Sequence, residues 1–485
     1  MTKFDYSIIV LGAGAGGLVV AIGAAKAGKR VLLIENGNYG GDCTNFGCIP
    51  SKSLIAAAHA AHTINTGAAY GLNYKVPPID ASGALERTRN IVAQVRSGEE
   101  EEALQHRGVD TLTGFASFMD LHTLEVKLCK GSTRTVTGKN IVIATGSRPR
   151  VPNIPGLKEV PCLDNECIFD LKDIPRHLAV IGGGPIGCEL SSAFRRLGSQ
   201  VSIIQHREHL LAREEFVTQQ LIEGIFTDAG INLYLGYETI EAARKNGKII
   251  LTLKNVNTEE LQNLTATHLL IAAGRIPNCD QLHLEAANVK ANRRGIITDH
   301  YGRTSQKHIW AVGDVVGRAL FTHIAENEGR TVLFNLLNPL PWPFKKKKDL
   351  CQAIPHVTFT DPEIGKAGLS EKEAIDMYGA CRITTYHVPF THVDRAITTG
   401  RTEGFVRIIT KKWSSKILGT TVVGPRAGEM LTQITTAMHY GIPLRKLAAL
   451  IHPYPIYSHA IRKAADQWLT NTILPTFIKS YEEKN

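Results

Sequence analysis

"YSIIVLGAGAGGLVVAIGAAKAGKRVLLIE", Tyr6 to Glu35, reads as strand, glycine turn, helix and strand. Gly12, Gly14 and Gly17 fit the spacing G-x-G-x-x-G, and Glu35 closes the second strand. In such a unit the first glycine permits a tight turn and the second lets backbone amides approach a pyrophosphate. The third lets helix and strand pack closely. The helix N-terminus adds partial positive charge, and a carboxylate ending the second strand accepts ribose hydroxyls. The pattern recurs in "HLAVIGGGPIGCELSSAFRRLGSQVSIIQHRE", His177 to Glu208, with Gly182, Gly184 and Gly187 as the triplet. There Gln205 stands where the first unit has Glu35; His206 and Arg207 follow, with Arg213 further on. A carboxylate at that place repels a 2′-phosphate, whereas arginine and a protonated histidine hold one. Two dinucleotide folds are therefore expected in one chain, with NADPH at the second and NADH possible.

At 485 residues the chain is long enough for two to four domains. Its apolar fraction of 43% and charged fraction of 21% are those of a globular protein. The formal charge of +10 invites a nucleic-acid reading. Yet the one dense basic run, Lys345 to Lys348 beside Trp342 and Pro343, reads as a solvated surface linker, and no nucleic-acid partner is expected. Nine cysteines spread over the chain argue against a secreted disulfide scaffold. The start lacks the charged-then-apolar pattern of a signal peptide. Tyr6 to Ala25 is uncharged for long enough to mimic a membrane span, with Gly12 and Gly16 mimicking a helix-dimer motif. The glycine cluster divides that run into a short strand and a small-residue helix, so no membrane partner and a cytoplasmic location are expected.

"YGGDCTNFGCIPSK", Tyr39 to Lys52, sets Cys43 and Cys48 five positions apart. On a regular helix that spacing is about 7.5 Å along the axis. A disulfide needs Cα atoms closer than about 7 Å, so the segment must bend, and Gly47 permits the bend. Pro50 suits the first turn of a helix, which places Cys48 near an N-terminus that favours its thiolate, with Lys52 one turn on. A structural staple closing so short a loop contributes only about 2 kcal/mol. A zinc site needs a second ligand pair nearby, which is absent. A redox couple is the preferred reading, and no resident metal is expected.

"GGDCTNFGCIPSK" resembles the active-site segment of class I pyridine nucleotide-disulfide oxidoreductases: mercuric reductase, lipoamide dehydrogenase, glutathione reductase and relatives. "GFASF" (Gly114 to Phe118) and "IVIATGSRPR" (Ile141 to Arg150) resemble FAD-domain segments of that family. "IAAGRIPN" (Ile271 to Asn278) resembles the exit from its nucleotide domain, and "IWAVGDVVG" (Ile309 to Gly317) the segment whose aspartate meets the FAD ribityl chain. "PHVTFTDPEIGKAGL" (Pro355 to Leu369) resembles the opening of its dimerisation domain. The resemblance implies that Cys48 lies against the flavin as charge-transfer thiolate and that Cys43 is the interchange thiol. It implies Lys52 near the flavin, paired with Glu189 beside the nicotinamide. It places Gly12, Gly14, Gly17, Glu35, Gly114, Ala144, Thr145, Gly146 and Asp314 around FAD. Gly182, Gly184, Gly187, Gln205, His206, Arg207 and Gly274 then fall to the nucleotide. Where the family has Tyr or Val after the second glycine of the second fingerprint, this chain has Pro185.

Disulfide reductases of the family carry H-P-T-x-x-E near the C-terminus, contributed across the dimer. Here the segment is "LAALIHPYPIYSHAIRKAAD". Aligned through its first residues, Tyr454 takes the His place and His459 the Glu place; shifted to His452, Tyr457 takes the Glu place. The His–Glu couple is missing either way. Mercuric reductases also lack it and have Tyr in this neighbourhood, but their vicinal C-terminal cysteines are absent from "SYEEKN", and no metal-binding extension precedes the first strand. His452 or His459 supplies the acid/base, or both are interface histidines. Cys129, Cys162, Cys167, Cys188, Cys279, Cys351 and Cys381 read as packing residues, and "HVDRA" (His392 to Ala396) as a substrate-side loop or a surface pair.

The expected fold is α/β: two Rossmann-like domains for FAD and NAD(P), plus a C-terminal α+β dimerisation domain. The boundaries are 1–150 and 278–348 for FAD, 151–277 for NAD(P), and 349–485 for the interface of a homodimer. The expected function is an FAD-dependent NAD(P)H oxidoreductase passing electrons through Cys43 and Cys48 to a small-molecule disulfide or soft metal ion. Dihydrolipoyl dehydrogenase activity, a quinone or oxygen oxidoreductase and a redox-sensing flavoprotein are the alternatives.

Overall fold

The computed structural model describes residues 3–75, 80–129, 131–340, 344–347 and 353–475. Trp342, Pro343, Lys348, Cys351 and the tail from Ser480 lie outside the described residues. The first fingerprint forms as read: β1 (Tyr6–Leu11), α1 (Ala15–Lys26) and β2 (Val31–Glu35). β1 runs parallel to β2 on one side and to the strand Thr133–Ile143 on the other, so that Ile9 faces both Leu32 and Ile141. Asp110–Phe118 and Ile309–Ala311 complete the parallel part, and Thr123–Leu128 bridges the two long strands as an antiparallel meander. Alternate residues enter two separate cores: Ile9, Leu11, Leu32 and Ile34 on one face, Ile8, Val10, Val31 and Leu33 on the other. Burial of both faces is why these strands are continuous apolar runs rather than alternating ones.

The second fingerprint repeats the plan with β3 (His177–Ile181), α2 (Pro185–Arg196) and β4 (Gln200–Gln205). Its parallel sheet takes in Asn232–Leu235, His268–Ile271 and Cys162–Leu163. A five-stranded antiparallel sheet spans 356–424. It is covered by the helices Ala427–His439 and His459–Trp468 through Met430, Ile434, Ile461 and Ala464.

No helix among the described residues is long and apolar enough to cross a membrane. Gly16, which mimicked a helix-dimer motif, serves a crossing inside the chain. α1 packs on α3 (Thr322–Leu337), and a Cβ on Gly329 would lie 2.7 Å from the Gly16 carbonyl oxygen. Within the basic run Lys346 and Lys347 are exposed, as a solvated linker requires, but Lys345 Nζ turns back to donate to the Asn335 carbonyl at 2.9 Å and to that of Asn338. An ammonium there satisfies orphan carbonyls at the helix C-terminus. The cysteines read as packing residues also divide: Cys188 is buried, Cys162, Cys167 and Cys279 are half-buried, and Cys129 and Cys381 are exposed.

The two glycine triplets are built alike. Gly12 and Gly182 have φ of +101° and +119°, and a Cβ on Gly17 or Gly187 would lie 2.0 or 1.9 Å from the carbonyl oxygen of the first glycine of its own turn. Gly184, by contrast, has no heavy atom within 4 Å of a notional Cβ. Gly187→Ala is expected to lose about 1–3 kcal/mol through overpacking. Gly184→Ala is expected to stay within about 0.5 kcal/mol of the parent. Thermal unfolding of the two variants side by side checks the contrast.

Candidate active site

A cavity of about 1370 Å³ has a wall that includes Gly12, Gly14, Glu35, Cys43, Cys48, Lys52 and Asp314. Gly114, Ala144, Thr145 and Gly146 also line it. Gly14 opens onto it, since a notional Cβ there would meet only the Gly41 Cα, at 3.9 Å. Such an open cradle at the N-terminus of α1 suits a pyrophosphate. Glu35 ends β2 and accepts from the backbone N–H of Ala13 at 2.7 Å and of Gly37 at 2.8 Å, which aims its carboxylate along the cavity edge. Thr145 Oγ1 donates to the Asn278 carbonyl at 2.7 Å, and Ser147 Oγ donates to Asp314 Oδ2 at 2.6 Å. Burial holds the Asp314 carboxyl above its usual range despite that bond. Gly114 has a local reason as well: a Cβ there would lie 2.5 Å from the Lys127 carbonyl of the neighbouring strand. The arrangement fits the adenosine, pyrophosphate and ribityl parts of FAD.

The redox segment bends where the sequence allows it. A short helix, Gly41–Asn45, ends at Phe46, Gly47 adopts φ −113° and ψ −108°, and α4 (here Cys48–Asn65) begins at Cys48. A Cβ on Gly47 would lie 3.0 Å from the Asp42 carbonyl and 3.2 Å from the Cys43 Cα, so the turn leaves no room for a side chain. Cys43 and Cys48 are free thiols in this structure. The hydrogen bond from Cys43 lowers the Cys48 thiol to about 6, against burial, with further help from the Lys52 charge and the Thr322 hydroxyl. The same bond raises Cys43 steeply. Sequence reasoning had singled out Cys48 as the acidic thiol through the helix start and Lys52. The larger cause is its own partner.

Lys52 Nζ donates to Glu189 Oε2 at 2.8 Å, joining α4 to α2. Phe359 closes the pair, with its ring 4.6 Å from Lys52 Nζ and its backbone N–H donating to Glu189 Oε1 at 2.8 Å. Thr322 Oγ1 lies 3.7 Å from Cys48 Sγ. Asp42, one residue before Cys43, pairs with Arg275 at 3.0 Å and accepts from Asn165 Nδ2 at 3.2 Å. Sequence reading missed Thr322, Phe359, Asp42 and Asn165 as site residues. Phe359 and Arg275 sat inside quoted family segments, but Thr322 and Asn165 carried no signal at all.

The second fingerprint is placed differently. The cavity reaches Pro185, Ile186 and Glu189, but its wall does not include Gly182, Gly184, Gly187, Gln205, His206, Arg207, Gly274 or, in the first unit, Gly17. Gln205 is committed to the backbone: its Oε1 accepts from the Gly183 N–H at 3.3 Å and its Nε2 donates to the His209 carbonyl at 3.2 Å. It thus reproduces Glu35's contact with the glycine turn without the charge. His206 and Arg207 are exposed beyond it.

His452, Tyr454 and His459 cluster together, with the His459 ring 6.1 Å from His452 and 5.7 Å from Tyr454. The structure does not bring them to Cys43 within one protomer, and none lines the cavity. His452 has both ring nitrogens engaged. Nδ1 donates to the Leu450 carbonyl at 3.0 Å and Nε2 meets Gln433 Nε2 at 3.0 Å. Tyr457 bonds Thr399 Oγ1 at 2.6 Å. "HVDRA" packs inward through Val393 and Ala396 and is not part of the cavity wall.

Comparison with known proteins follows the same outline. The family described as pyridine nucleotide-disulphide oxidoreductase matches residues 6–329, and its dimerisation domain matches residues 354–465. The mercuric reductase of Streptomyces lividans is 34% identical over 469 residues, covering 96% of this chain and 97% of the relative. Dihydrolipoyl dehydrogenase 3 of Haloarcula marismortui is 34% identical over 468 residues, covering 94% and 95% respectively. Among solved structures, the copper(II) complex of the HOCl-induced flavoprotein disulfide reductase RclA from Escherichia coli superposes with a TM-score of 0.84. It is 28% identical and covers 96% of this chain and 99% of that one.

Alkylation of Cys48 by iodoacetamide in the reduced protein is expected to rise with pH through a midpoint near 6, because the thiolate is the nucleophile. Cys43→Ala removes the largest lowering contribution and shifts the midpoint upward. Thr322→Val shifts it upward by less. Rates followed by peptide mass spectrometry over a pH series check the order.

Proposed function

The chain belongs to the pyridine nucleotide-disulphide oxidoreductase family, and we propose that within it this enzyme takes electrons from NADPH and delivers them through Cys43 and Cys48 to a soft metal ion, as mercuric reductases do, or to a small disulfide. The family makes it an FAD- and pyridine-nucleotide-dependent enzyme with a dimerisation domain. The observation that carries the finer reading is the paired thiols opening on the same cavity as the Gly14, Glu35 and Asp314 cradle, with the Cys48 thiolate stabilised by Cys43.

In this reading residues 1–150 and 278–348 hold FAD, 151–277 hold NADPH, and 349–485 form the homodimer interface. FAD, held by the Gly14, Glu35 and Asp314 cradle, would supply hydride-accepting and two-electron-donating chemistry between the nicotinamide and the Cys43–Cys48 disulfide. Glu189 and Lys52, paired in the cavity wall, would border both cofactors. Cys48 holds the thiolate, and Cys43 is released as a thiol that gives up its proton as its sulfur engages the acceptor. The two electrons then reduce one mercuric ion to the metal or two cupric ions to cuprous ions, or, with two protons, cleave a disulfide to two thiols. Arg207, His206 and Arg213 take the 2′-phosphate of NADPH, because Gln205 brings no repelling charge.

A soft metal acceptor is favoured over a disulfide because the leaving thiolate of a disulfide needs a proton donor. His452 is hydrogen-bonded to Gln433 and the Leu450 carbonyl, and among the described residues no carboxylate pairs with it. Tyr454 and His459 instead offer soft-metal ligands, to be contributed across the homodimer. A cytoplasmic location suits thiols that must be kept reduced.

Cys43→Ser is expected to reduce turnover of mercuric ion or disulfide by at least about a hundredfold while NADPH-dependent quinone reduction survives; persistence of metal turnover would overturn the thiol route. An acceptor screen with mercuric and cupric ions, lipoamide and glutathione disulfide ranks the substrates, and lipoamide in first place favours the dihydrolipoyl dehydrogenase alternative. Arg207→Glu is expected to cut kcat/KM for NADPH at least about tenfold relative to NADH, one charge-assisted contact being worth about 1.4 kcal/mol or more.

A further inference from the structure

The segment that follows the second nucleotide strand is tied to the interface sheet by charge. Glu214 faces His356 Nε2 at 3.4 Å and Lys366 Nζ at 3.5 Å, and its side chain is only 6% exposed. Lys366 also donates to the Arg213 carbonyl at 2.9 Å, and Glu215 pairs with Arg407 at 3.0 Å. Burial raises the Glu214 carboxyl, yet the hydrogen bond from His356 and the Lys366 charge bring it below its ordinary value. A buried carboxylate of this kind cannot part from its donors cheaply.

The contacts continue to the thiols. The His356 ring stacks on Phe321 with centroids 5.6 Å apart and planes 12° from parallel. His323 stacks on the same ring at 5.3 Å and 17°, and its Nε2 is anchored to the carbonyl of Pro355, the residue before His356. Phe321 immediately precedes Thr322, whose hydroxyl lies 3.7 Å from Cys48 Sγ. Arg213, Phe321, His323 and His356 all line the cavity.

We propose that His356 is a positioning residue that couples nucleotide occupancy of the 205–213 segment to the reactivity of Cys48. The inference rests on the reading of that segment as nucleotide-binding. A nucleotide phosphate that draws the arginines moves the backbone at Arg213, and Glu214 follows as its neighbour. His356 keeps its bond to the buried carboxylate and carries the Phe321 ring with it, which changes the distance between the Thr322 hydroxyl and the Cys48 sulfur. The thiolate is thereby primed when a reductant is bound. Such coupling requires that the ligand bind the two arrangements unequally, and a coupling of this type amounts to about fivefold or more.

The test uses the FAD-loaded full chain carrying Cys43→Ser, in which Cys48 is the remaining thiol of the pair. Adenosine 2′,5′-bisphosphate is the probe, since it reaches the loop and lacks a nicotinamide to cover the flavin. The iodoacetamide alkylation rate at Cys48, read by peptide mass spectrometry, is expected to change by about fivefold or more when the probe binds. In His356→Ala and in the isosteric Glu214→Gln the change is expected to shrink below about twofold, while calorimetry still shows probe binding and the flavin spectrum is retained. An undiminished change in both variants overturns the proposal, as does no change in the parent with the probe bound. Binding of 5′-ADP but not of the bisphosphate overturns only the 2′-phosphate reading, and the same rates are then measured with ADP. Binding of neither overturns the nucleotide reading and this proposal with it.

Discussion

The Lys52–Glu189 ion pair is the constraint on which the site depends. Glu189 is 7% exposed on the helix that opens the second nucleotide fold, and Lys52 lies one turn after Cys48. Taking a carboxylate out of water is costly unless it is paired and hydrogen-bonded. Both of its oxygens are used, one by Lys52 Nζ and the other by the Phe359 N–H, and the Phe359 ring covers the ammonium. Three segments far apart in sequence must therefore meet at one point. That junction fixes the thiol helix, the nucleotide helix and the interface sheet around the cavity.

The two fingerprints share one backbone plan and differ in charge at the strand end. In both, the last residue of the second strand accepts a hydrogen bond from the residue after the first glycine, at 2.7 Å for Glu35 and 3.3 Å for Gln205. The backbone task is the same, but one side chain brings a negative charge and the other none. In the proposed reading, that charge difference, rather than a difference in fold, is what sorts a dinucleotide with free ribose hydroxyls from one with a 2′-phosphate.

The repeated triplets and the bend at Gly47 were legible because glycine reports a backbone need directly: Gly17 and Gly187 would collide with a carbonyl, and Gly47 with the preceding turn. Cys48's acidity was legible in direction, but its main cause, the bond from Cys43, depends on a turn geometry that spacing alone does not give. Thr322, Phe359 and Asn165 were illegible because they reach the site from distant segments with ordinary residue types. Lys345 was illegible for the same reason, since a lysine folded back on helix carbonyls looks in sequence like any surface charge. His452 invited an acid/base role by its type, and its hydrogen bonds to Gln433 and the Leu450 carbonyl were not legible in the motif.

The central claim is that Cys48 receives electrons next to a flavin that a pyridine nucleotide has reduced. An anaerobic titration of the FAD-loaded enzyme with NADPH, followed across the visible spectrum, tests it most directly. The account predicts a long-wavelength thiolate-to-flavin absorption that grows with the first equivalent while the flavin stays oxidised and the two thiols become titratable. Bleaching of the flavin with neither that band nor new thiols would contradict it.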